Sequence, residues 1–334
     1  MNKSDTEIEQ LLPKLDALKS EIEKAIIGQH LVIDNLLCAF VAGGHCLLEG
    51  VPGLAKTLLI RTLADAVSLD FNRIQFTPDL MPTDIIGTEI LEEDHATGKR
   101  FFKFNKGPIF TNVLLADEVN RTPPKTQSAL LEAMQEAMVT YGGKSMQLGT
   151  PFFVLATQNP IEQAGTYPLP EAQLDRFLLH IQIDYPQEMD EFQILASTTS
   201  SKKVTINPVI NAEEILKLQV YCREVHMSEA LMHYVNRLIR ASRPAHSSID
   251  WIKNWVSWGA GPRAGQALIL TSKAHALMQN RFAVTMEDIR IMIKPVLRHR
   301  ILLNFKAEAE GIPRDKITET LLRDVPEPKS PLIS

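Results

Sequence analysis

Cysteine is scarce in this chain, which has only three among its 334 residues. Cys38, Cys46 and Cys222 are odd in number and share no metal-ligand spacing with the histidines. This pattern argues against both a disulfide scaffold and a cysteine-ligated metal. We expect three buried, reduced thiols, which is the usual state of cysteine in a cytoplasmic protein.

The chain also has no long uncharged apolar run. Its most apolar window, residues 31–48, carries Asp34, Asn35 and His45 together with paired glycines, and it is better explained as a buried helix followed by a strand. The first residues are acidic and polar rather than basic and then apolar, which is not the pattern of a signal peptide. We therefore expect no membrane span and a cytoplasmic location.

Neither sign of charge is in large excess. The 35 lysines and arginines are set against 40 aspartates and glutamates, which gives a net charge of −5, and the pI is near 6.0. This balance argues mildly against a nucleic-acid partner, although it leaves a local basic channel open. With 45% hydrophobic and 22% charged residues, the chain has the composition of a globular protein of two or three domains.

A glycine-containing stretch follows a short apolar run at residues 47–57. Gly50 and Gly53 precede Lys56 and Thr57, and a helical pattern comes next, so strand, loop and helix succeed one another. Glycines let backbone N–H groups approach phosphate oxygens, a lysine can reach the terminal phosphates, and a threonine hydroxyl can ligate Mg²⁺. The positive end of the following helix favours an anion. The stretch therefore predicts a nucleotide site.

Ala55 stands where the strict phosphate-loop pattern has a glycine immediately before the lysine. Alanine adds only a methyl group, so we expect the loop to survive, provided that position 55 needs no positive φ. Taken alone, the loop also fits a glycine-rich turn that contains a lysine by chance.

Two further apolar runs end in polar side chains. One ends in Asp117 and Glu118, and the other ends in Asn159. Such runs are typical of parallel strands buried on both faces, and ligands bind at the carboxyl ends of such strands. Asp117 can hold Mg²⁺ and Glu118 can orient and polarise the attacking water. Asn159 can hold the γ-phosphate or the water, or it can simply cap the next turn.

Two arginines elsewhere could also address phosphate. Arg176 precedes the last predicted strand, where it could reach a neighbouring subunit, although an Asp-Arg pair alone is more often a surface salt bridge. Arg263 lies in the first turn of a predicted helix, whose positive end could address the same phosphate. The nearby Trp251, Trp255 and Trp258 are expected in the core rather than on a base-stacking surface.

With these segments in order, the chain resembles the AAA+ ATPases, and specifically the MoxR family. The resemblance covers almost the whole chain and implies ATP as the nucleotide with Mg²⁺ as its metal. Five segments carry it: 50–57 resembles that family's Walker A loop, including its alanine, 115–121 resembles Walker B, 156–160 resembles sensor 1, 165–177 resembles the arginine-finger segment, and 261–264 resembles sensor 2.

The resemblance also implies a role for individual residues. Thr57 and Asp117 would hold the metal, while Glu118 would activate water and Asn159 would position it. Arg263 would act in its own chain and Arg176 on the next subunit, with Arg121 as the other candidate for the finger. The implied nucleotide-binding residues are Ile27, Gly28, Gly50, Val51, Pro52, Gly53, Leu54, Ala55, Lys56, Thr57 and Leu58. The turn at Ile27 and Gly28 is, by itself, equally well explained as an ordinary interhelical turn.

The expected fold is an α/β AAA+ core with a five-stranded parallel sheet, followed by an all-helical lid. At residue 188 the pattern changes from strands and loops to helices, so we assign the core to residues 1–186, the lid to 187–324 and a flexible tail to 325–334. Two insertions are expected as protruding hairpins, one at about 77–110 and one at about 140–150.

The resemblance further implies a homohexameric ring that remodels, assembles or inserts a cofactor into a client protein, often with a partner that carries a von Willebrand factor A domain. Hydrolysis is expected to tilt the lid against the core and to move the hairpins. A nucleic-acid motor, with Lys99, Arg100, Lys103 or Lys144 lining a pore, is one alternative. A nucleotide-dependent scaffold with little turnover is another.

Overall fold

The computed structural model describes residues 3–93, 98, 100–161, 165–200 and 204–328. Its strands are β1 (Cys46–Glu49), β2 (Phe71–Gln75), β3 (Gly87–Glu93), β4 (Arg100–Lys106), β5 (Val113–Asp117), β6 (Met138–Tyr141), β7 (Lys144–Gln147), β8 (Phe153–Gln158), β9 (Leu179–Gln182), β10 (Val256–Trp258) and β11 (Leu302–Leu303).

The helices lie around and after these strands. They are α1 (Lys3–Ala25), α2 (His30–Ala42), α3 (Lys56–Val67), α4 (Pro82–Ile86), α5 (Pro124–Glu136), α6 (Glu171–Leu174), α7 (Glu188–Thr198), α8 (Ala212–Glu224), α9 (Glu229–Ala241), α10 (Asp250–Trp255), α11 (Pro262–Met278), α12 (Met286–Leu297), α13 (Phe305–Ala309) and α14 (Asp315–Asp324).

A five-stranded parallel sheet, in the spatial order β2-β5-β8-β1-β9, is the centre of the α/β region. The apolar runs of β5 and β8 occupy its middle and are buried on both faces, as in parallel sheets covered by helices. The expected α/β fold with a five-stranded parallel sheet and a following helical region is therefore confirmed. The division that we assign at residues 186 and 187 falls between β9 and α7.

One apolar cluster extends from the sheet into the helical region. It includes Leu48 of β1, Ile60 of α3, Leu268 of α11 and Val296 of α12, and all four side chains are fully buried. A smaller cluster covers the other face of the sheet, packed against α5. Because the larger cluster is continuous, the helices after α7 share a core with the sheet instead of forming a separate one.

Side chains from the end of α12 cover the outer edge of β9. Arg298, His299 and Arg300 donate hydrogen bonds to three backbone carbonyls just before and within β9, at distances of 2.6–3.0 Å. Arg300 also pairs with Asp175 at 2.7 Å, and Arg298 makes a two-pronged contact with Asp315. We refer to this arrangement as the Arg298–Arg300 clamp. It satisfies backbone groups that an edge strand otherwise exposes.

Two antiparallel hairpins protrude from the α/β region. Strands β3 and β4 pair from Gly87 opposite Lys106 onward, and β6 pairs with β7. The first lies within the segment expected at about 77–110, and the second, at residues 138–147, begins slightly before the segment expected at about 140–150. Phe104 of the first hairpin contacts Tyr141 of the second, with ring centroids 5.1 Å apart. The first hairpin's tip, at residues 94–97 and 99, lies outside the described residues, as do residues 329–334 of the tail.

The three cysteines are buried and free, as expected. The tryptophans differ from expectation, because Trp251 and Trp255 are only half-buried and Trp258 is 69% exposed. The prediction that Trp258 belongs to the core was wrong, since short strand β10 turns its last side chain away from the apolar cluster. Among the described residues, no helix has the length and apolar character needed to cross a membrane.

Candidate nucleotide site

The predicted phosphate loop joins β1 to α3, and its two glycines are required for different reasons. Gly53 has φ = 87°, a conformation that suits glycine. Gly50 does not have a positive φ, but a Cβ there would lie 2.1 Å from Cγ2 of Ile183, in the segment after β9. Glycine at position 50 therefore allows the segment after β9 to lie directly against the loop.

Ala55 is the last loop residue before α3 and lies in the left-handed region, with φ = 54° and ψ = 25°. The loop was expected to tolerate alanine on condition that position 55 needs no positive φ. This condition is not met. An L-residue with a Cβ pays roughly 1–2 kcal/mol for this conformation. The loop keeps a glycine-like backbone at position 55 with an alanine side chain.

Lys56, the first residue of α3, lies at the carboxyl edge of the sheet. Its ammonium group donates a hydrogen bond to the carbonyl oxygen of Gly50. Burial lowers the pKa of Lys56, and the negative charges of Asp117, Glu118 and Glu49 partly offset that effect. A half-buried cation at a helix N-terminus, next to the Thr57 hydroxyl and two strand-end acids, is a donor set that fits a phosphate chain and its Mg²⁺.

Asp117, the last residue of β5, is held by both neighbouring strands. The hydroxyl of Thr157 in β8 donates to its Oδ1 at 2.6 Å, and Arg73 in β2 donates to its Oδ2 at 2.6 Å. The carboxylate is 14% exposed. These two contacts fix its orientation at the edge of the sheet where Lys56 lies.

Glu118 follows in the left-handed region, with φ = 58°. Its backbone N–H donates to the Thr157 hydroxyl at 2.8 Å, so one threonine fixes both acids. Its carboxylate accepts from Gln75 at 2.7 Å and pairs with Arg121 at 3.0 Å. Non-glycine residues in this region are strained and occur often at functional sites.

Asn159, just after β8, is 5% exposed. Its Oδ1 accepts from the backbone N–H of Ile161 at 3.1 Å, so the side chain caps the next turn. Capping was one of the two roles considered for Asn159 from the sequence. In this orientation the oxygen is engaged by the turn and the amide NH₂ is the group that can donate to an anion.

Arg176 lies at the opposite edge of the sheet from the phosphate loop. It precedes β9, and the N–H of Leu178 bonds to His45 at the amino end of β1. Lys56 and Asp117 are at the carboxyl ends of the strands, and four strand residues span about 13 Å. Arg176 is therefore separated from its own chain's phosphate loop by the length of β9.

Arg263 is exposed at the start of α11, near the same edge. Its neighbour Gly261 lines a groove of about 650 Å³ together with Glu171 and Asp175, the residue before Arg176. Burial lowers the pKa of Arg300, and the positive charge of Arg263 contributes to the shift. The structure thus places Arg263 with the residues around Arg176 and not with the phosphate loop, which does not support the expected same-chain role.

The turn at Ile27 and Gly28 lies against the start of α7. Gly28 has φ = 75°, and a Cβ there would lie within 2.6 Å of the Asp190 side chain. Gln29 donates to the carbonyl of Asp184 at 2.9 Å. Residues 182–185 line a cavity of about 230 Å³ with Glu49, Gly50 and Val51, so this turn and the phosphate loop flank the same segment.

Three residues of the site did not emerge from the sequence. Arg73, Gln75 and Thr157 contact Asp117 or Glu118 only because β2 and β8 flank β5. A signal was present, since Arg73 and Gln75 are polar at alternate positions of a strand and Thr157 is the first polar residue after an apolar run.

Comparisons with known proteins identify the family and the fold. The family described as "ATPase family associated with various cellular activities (AAA)" matches residues 45–179, and the family described as "AAA lid domain" matches residues 251–321. The crystal structure of a protein from Cytophaga hutchinsonii, assigned as an ATPase, superposes with a TM-score of 0.90 at 43% identity. The superposition covers 97% of this chain and 98% of that one. The fold and site thus define an AAA ATPase with its lid.

Three curated relatives narrow the class of ATPase. Chaperone MoxR1 of Mycobacterium tuberculosis is 41% identical over 92% of this chain and 81% of its own length. The protein YeaC of Bacillus subtilis is 41% identical over 96% of this chain and 97% of its own length. Protein MoxR of Paracoccus denitrificans is 29% identical, over 86% and 88%. The chain belongs to the MoxR family of AAA+ ATPases.

Proposed function

We propose that this protein is a Mg²⁺-dependent ATPase that acts as a chaperone-like remodelling, assembly or cofactor-insertion factor for a client protein. The observation that carries the ATPase role is the convergence of Lys56, Asp117 and Glu118 at one edge of the sheet. The Thr157 hydroxyl donates to the Asp117 carboxylate and accepts from the backbone N–H of Glu118. The chaperone role is supported by similarity to a relative named as a chaperone.

Bound Mg·ATP would supply the phosphoanhydride bond that is hydrolysed. Backbone N–H groups of the loop and the Lys56 ammonium would bind the phosphates, and Thr57 with Asp117 would hold the metal. Glu118 accepts a proton from the attacking water, and Asn159 holds that water or the γ-phosphate through its amide NH₂. Gln75 and Arg121 both contact Oε2 of Glu118, so the other carboxylate oxygen, Oε1, is the one that can accept the proton from the water.

Arg176 and Arg263 complete the site of a neighbouring copy. Both lie near the amino edge of β9, whereas the phosphate loop lies at the carboxyl edge, so a phosphate in the same chain is beyond the reach of Arg176. We propose a ring on this basis, because each chain supplies arginines at one side and a phosphate site at the other, and such a head-to-tail contact can close on itself. We take the ring to be a hexamer and the location to be cytoplasmic, as in the family.

The ATPase role is tested with Glu118→Gln. We expect ATP affinity within about threefold of wild type and a hydrolysis rate reduced at least about 100-fold, because the amide cannot accept the proton from water. Glu132→Gln, an exposed change on α5, is the matched control and is expected to hydrolyse ATP at the wild-type rate. An unchanged rate in Glu118→Gln would contradict the role given to this carboxylate, and a wild-type chain that binds no ATP would end the proposal.

The client is sought by affinity capture with Glu118→Gln held in ATP and Mg²⁺, compared with the same protein without nucleotide. Proteins enriched only with ATP, in particular one with a von Willebrand factor A domain, would support the chaperone role. Enrichment of nuclease-sensitive nucleic acid would favour the motor, which the balance of 35 basic and 40 acidic residues disfavours. Slow ATP hydrolysis by the assembled wild-type protein would favour the alternative of a nucleotide-dependent scaffold.

A further inference from the structure

Helix α7 exposes an apolar stripe. Met189, Phe192 and Leu195 recur every three residues on one side of the helix and are 69%, 66% and 59% exposed, and Tyr185 just before α7 is 70% exposed. None of the eleven side chains of α7 is buried. A helix of this length is marginal in water without tertiary packing, so its apolar side is expected to be covered in the working protein.

A groove with apolar lining lies elsewhere on the chain. It has a volume of about 650 Å³ and is lined by Trp258, Leu302 and Ala172, with Gly261 at the start of α11. Trp258 is 69% exposed and has no place in the apolar cluster of its own chain. His299 also lines the groove, is 2% exposed, and has its Nδ1 buried without a hydrogen-bond partner among the described residues.

The stripe and the groove lie beside the two halves of the proposed shared site. The first turn of α7 lies on the phosphate-loop side, because Asp190 lies against Gly28. The groove lies on the arginine side, because its lining includes Asp175, the residue before Arg176. In the proposed shared site, one copy brings its arginines to the phosphates of the next. The groove of the first copy and the α7 stripe of the second then both lie at the boundary between these two copies.

We propose that the α7 stripe of one copy packs into the Trp258 groove of the next copy. This inference rests on the proposed function, since the shared nucleotide site sets the side on which the copies meet. Two different surfaces on one chain make a head-to-tail contact, which either closes into a ring or extends into a filament and cannot form a symmetric pair. The occupant of the groove is therefore a second copy of this chain.

The contact is tested by mixing two variants that each carry one introduced cysteine, Phe192→Cys and Trp258→Cys, with ATP and Mg²⁺ in a Glu118→Gln background. The three native cysteines are buried, so a flexible bis-maleimide reacts at the introduced sites. We expect a covalent dimer in the mixture and none in either variant alone, and a ladder of higher species in the double variant. Dimers from Phe192→Cys alone, or none in a mixture that sedimentation shows to be assembled, would overturn the inference.

A second measurement uses no cysteine. Phe192→Asp is expected to weaken self-association at least about tenfold, because a large apolar side chain loses its partner surface, while the urea midpoint of the monomer stays unchanged. Val220→Asp on α8, which is 57% exposed, is the matched control and is expected to assemble as wild type. Normal assembly of Phe192→Asp, or a chain that never assembles, would overturn the inference. A wild-type chain that hydrolyses ATP but gives no mixed cross-link would leave the ATPase proposal standing.

Discussion

Ala55 holds a left-handed backbone with an L side chain, so Ala55→Gly should stabilise the protein. The strain of alanine in this region is about 1–2 kcal/mol and is absent in glycine. Glycine also makes the unfolded chain more flexible, which costs about 0.4–1 kcal/mol. The difference predicts a net gain of about 0.5–1 kcal/mol in the free energy of unfolding.

The assay is equilibrium urea unfolding of the nucleotide-free monomer, with two alanine-to-glycine controls. Ala137, at the end of α5, has φ = 49°, so Ala137→Gly should also stabilise. Ala196 is an exposed residue inside α7, where glycine should cost about 1 kcal/mol. The three variants separate backbone strain from a general effect of glycine.

The reasoning is refuted if Ala55→Gly lowers the urea midpoint as Ala196→Gly does. Such a result would mean that the backbone at position 55 is not left-handed in solution. If Ala137→Gly stabilised the protein and Ala55→Gly did not, the conformation given to the loop would be wrong. The estimate of strain for an alanine in the left-handed region would still hold.

Three other changes test single contacts. Thr157→Val removes the hydroxyl that bonds to the Asp117 carboxylate and to the backbone N–H of Glu118, and it should lower the ATP hydrolysis rate at least about tenfold with little change in ATP affinity. Burial lowers the pKa of His45 to about 4, whereas the unfolded value is near 6.5, so the unfolded state binds the extra proton and stability falls by about 3 kcal/mol between pH 6.5 and 4. His45→Asn should remove that part of the pH dependence in urea unfolding. Asp288→Asn should cost about 3 kcal/mol by the same assay, since Asp288 is fully buried and bonds to Arg281, at 2.5 Å, and to His275.

The acid dependence of His45 has a structural cause. Its Nε2 lies 2.9 Å from the carbonyl of Met134, and its Nδ1 accepts the N–H of Val154 at 3.1 Å. Only the neutral ring with a proton on Nε2 can make both bonds, so protonation of Nδ1 leaves a buried N–H without a partner. Asparagine can offer an acceptor near the position of Nδ1 but cannot titrate.

The sequence was sufficient for the parts of the site that follow one another along the chain. The phosphate loop directly follows β1 and precedes α3, and the two acids stand at the end of β5. Each of these features is a short local pattern that can be identified from consecutive residues. The contacts of Thr157 and Gln75 with these acids depend on which strands are neighbours in the sheet, and strand order is a property of the whole fold.

The position of Arg263 was harder to anticipate, because it depends on how α11 and α12 dock on the sheet. Buried polar contacts between distant segments, such as Arg300 with Asp175, set that docking and have no local pattern. The same docking leaves Trp258 exposed, although a tryptophan in an apolar sequence is usually buried. The left-handed φ of Ala55 is likewise a matter of three-dimensional context, since alanine carries no preference for it.

The Arg298–Arg300 clamp restricts movement of the helices against the sheet. A tilt of the helices against the sheet would strip three carbonyls of their charged donors and open an apolar cluster that runs from β1 to α12. Each of those losses is costly in a buried setting. A single chain is therefore stiff across the joint at which AAA+ lids are expected to bend. In the proposed ring the boundary between neighbouring chains would be the softer one, so a full turnover cycle would register as a change in the angle between subunits and only slightly as a change of shape within each one.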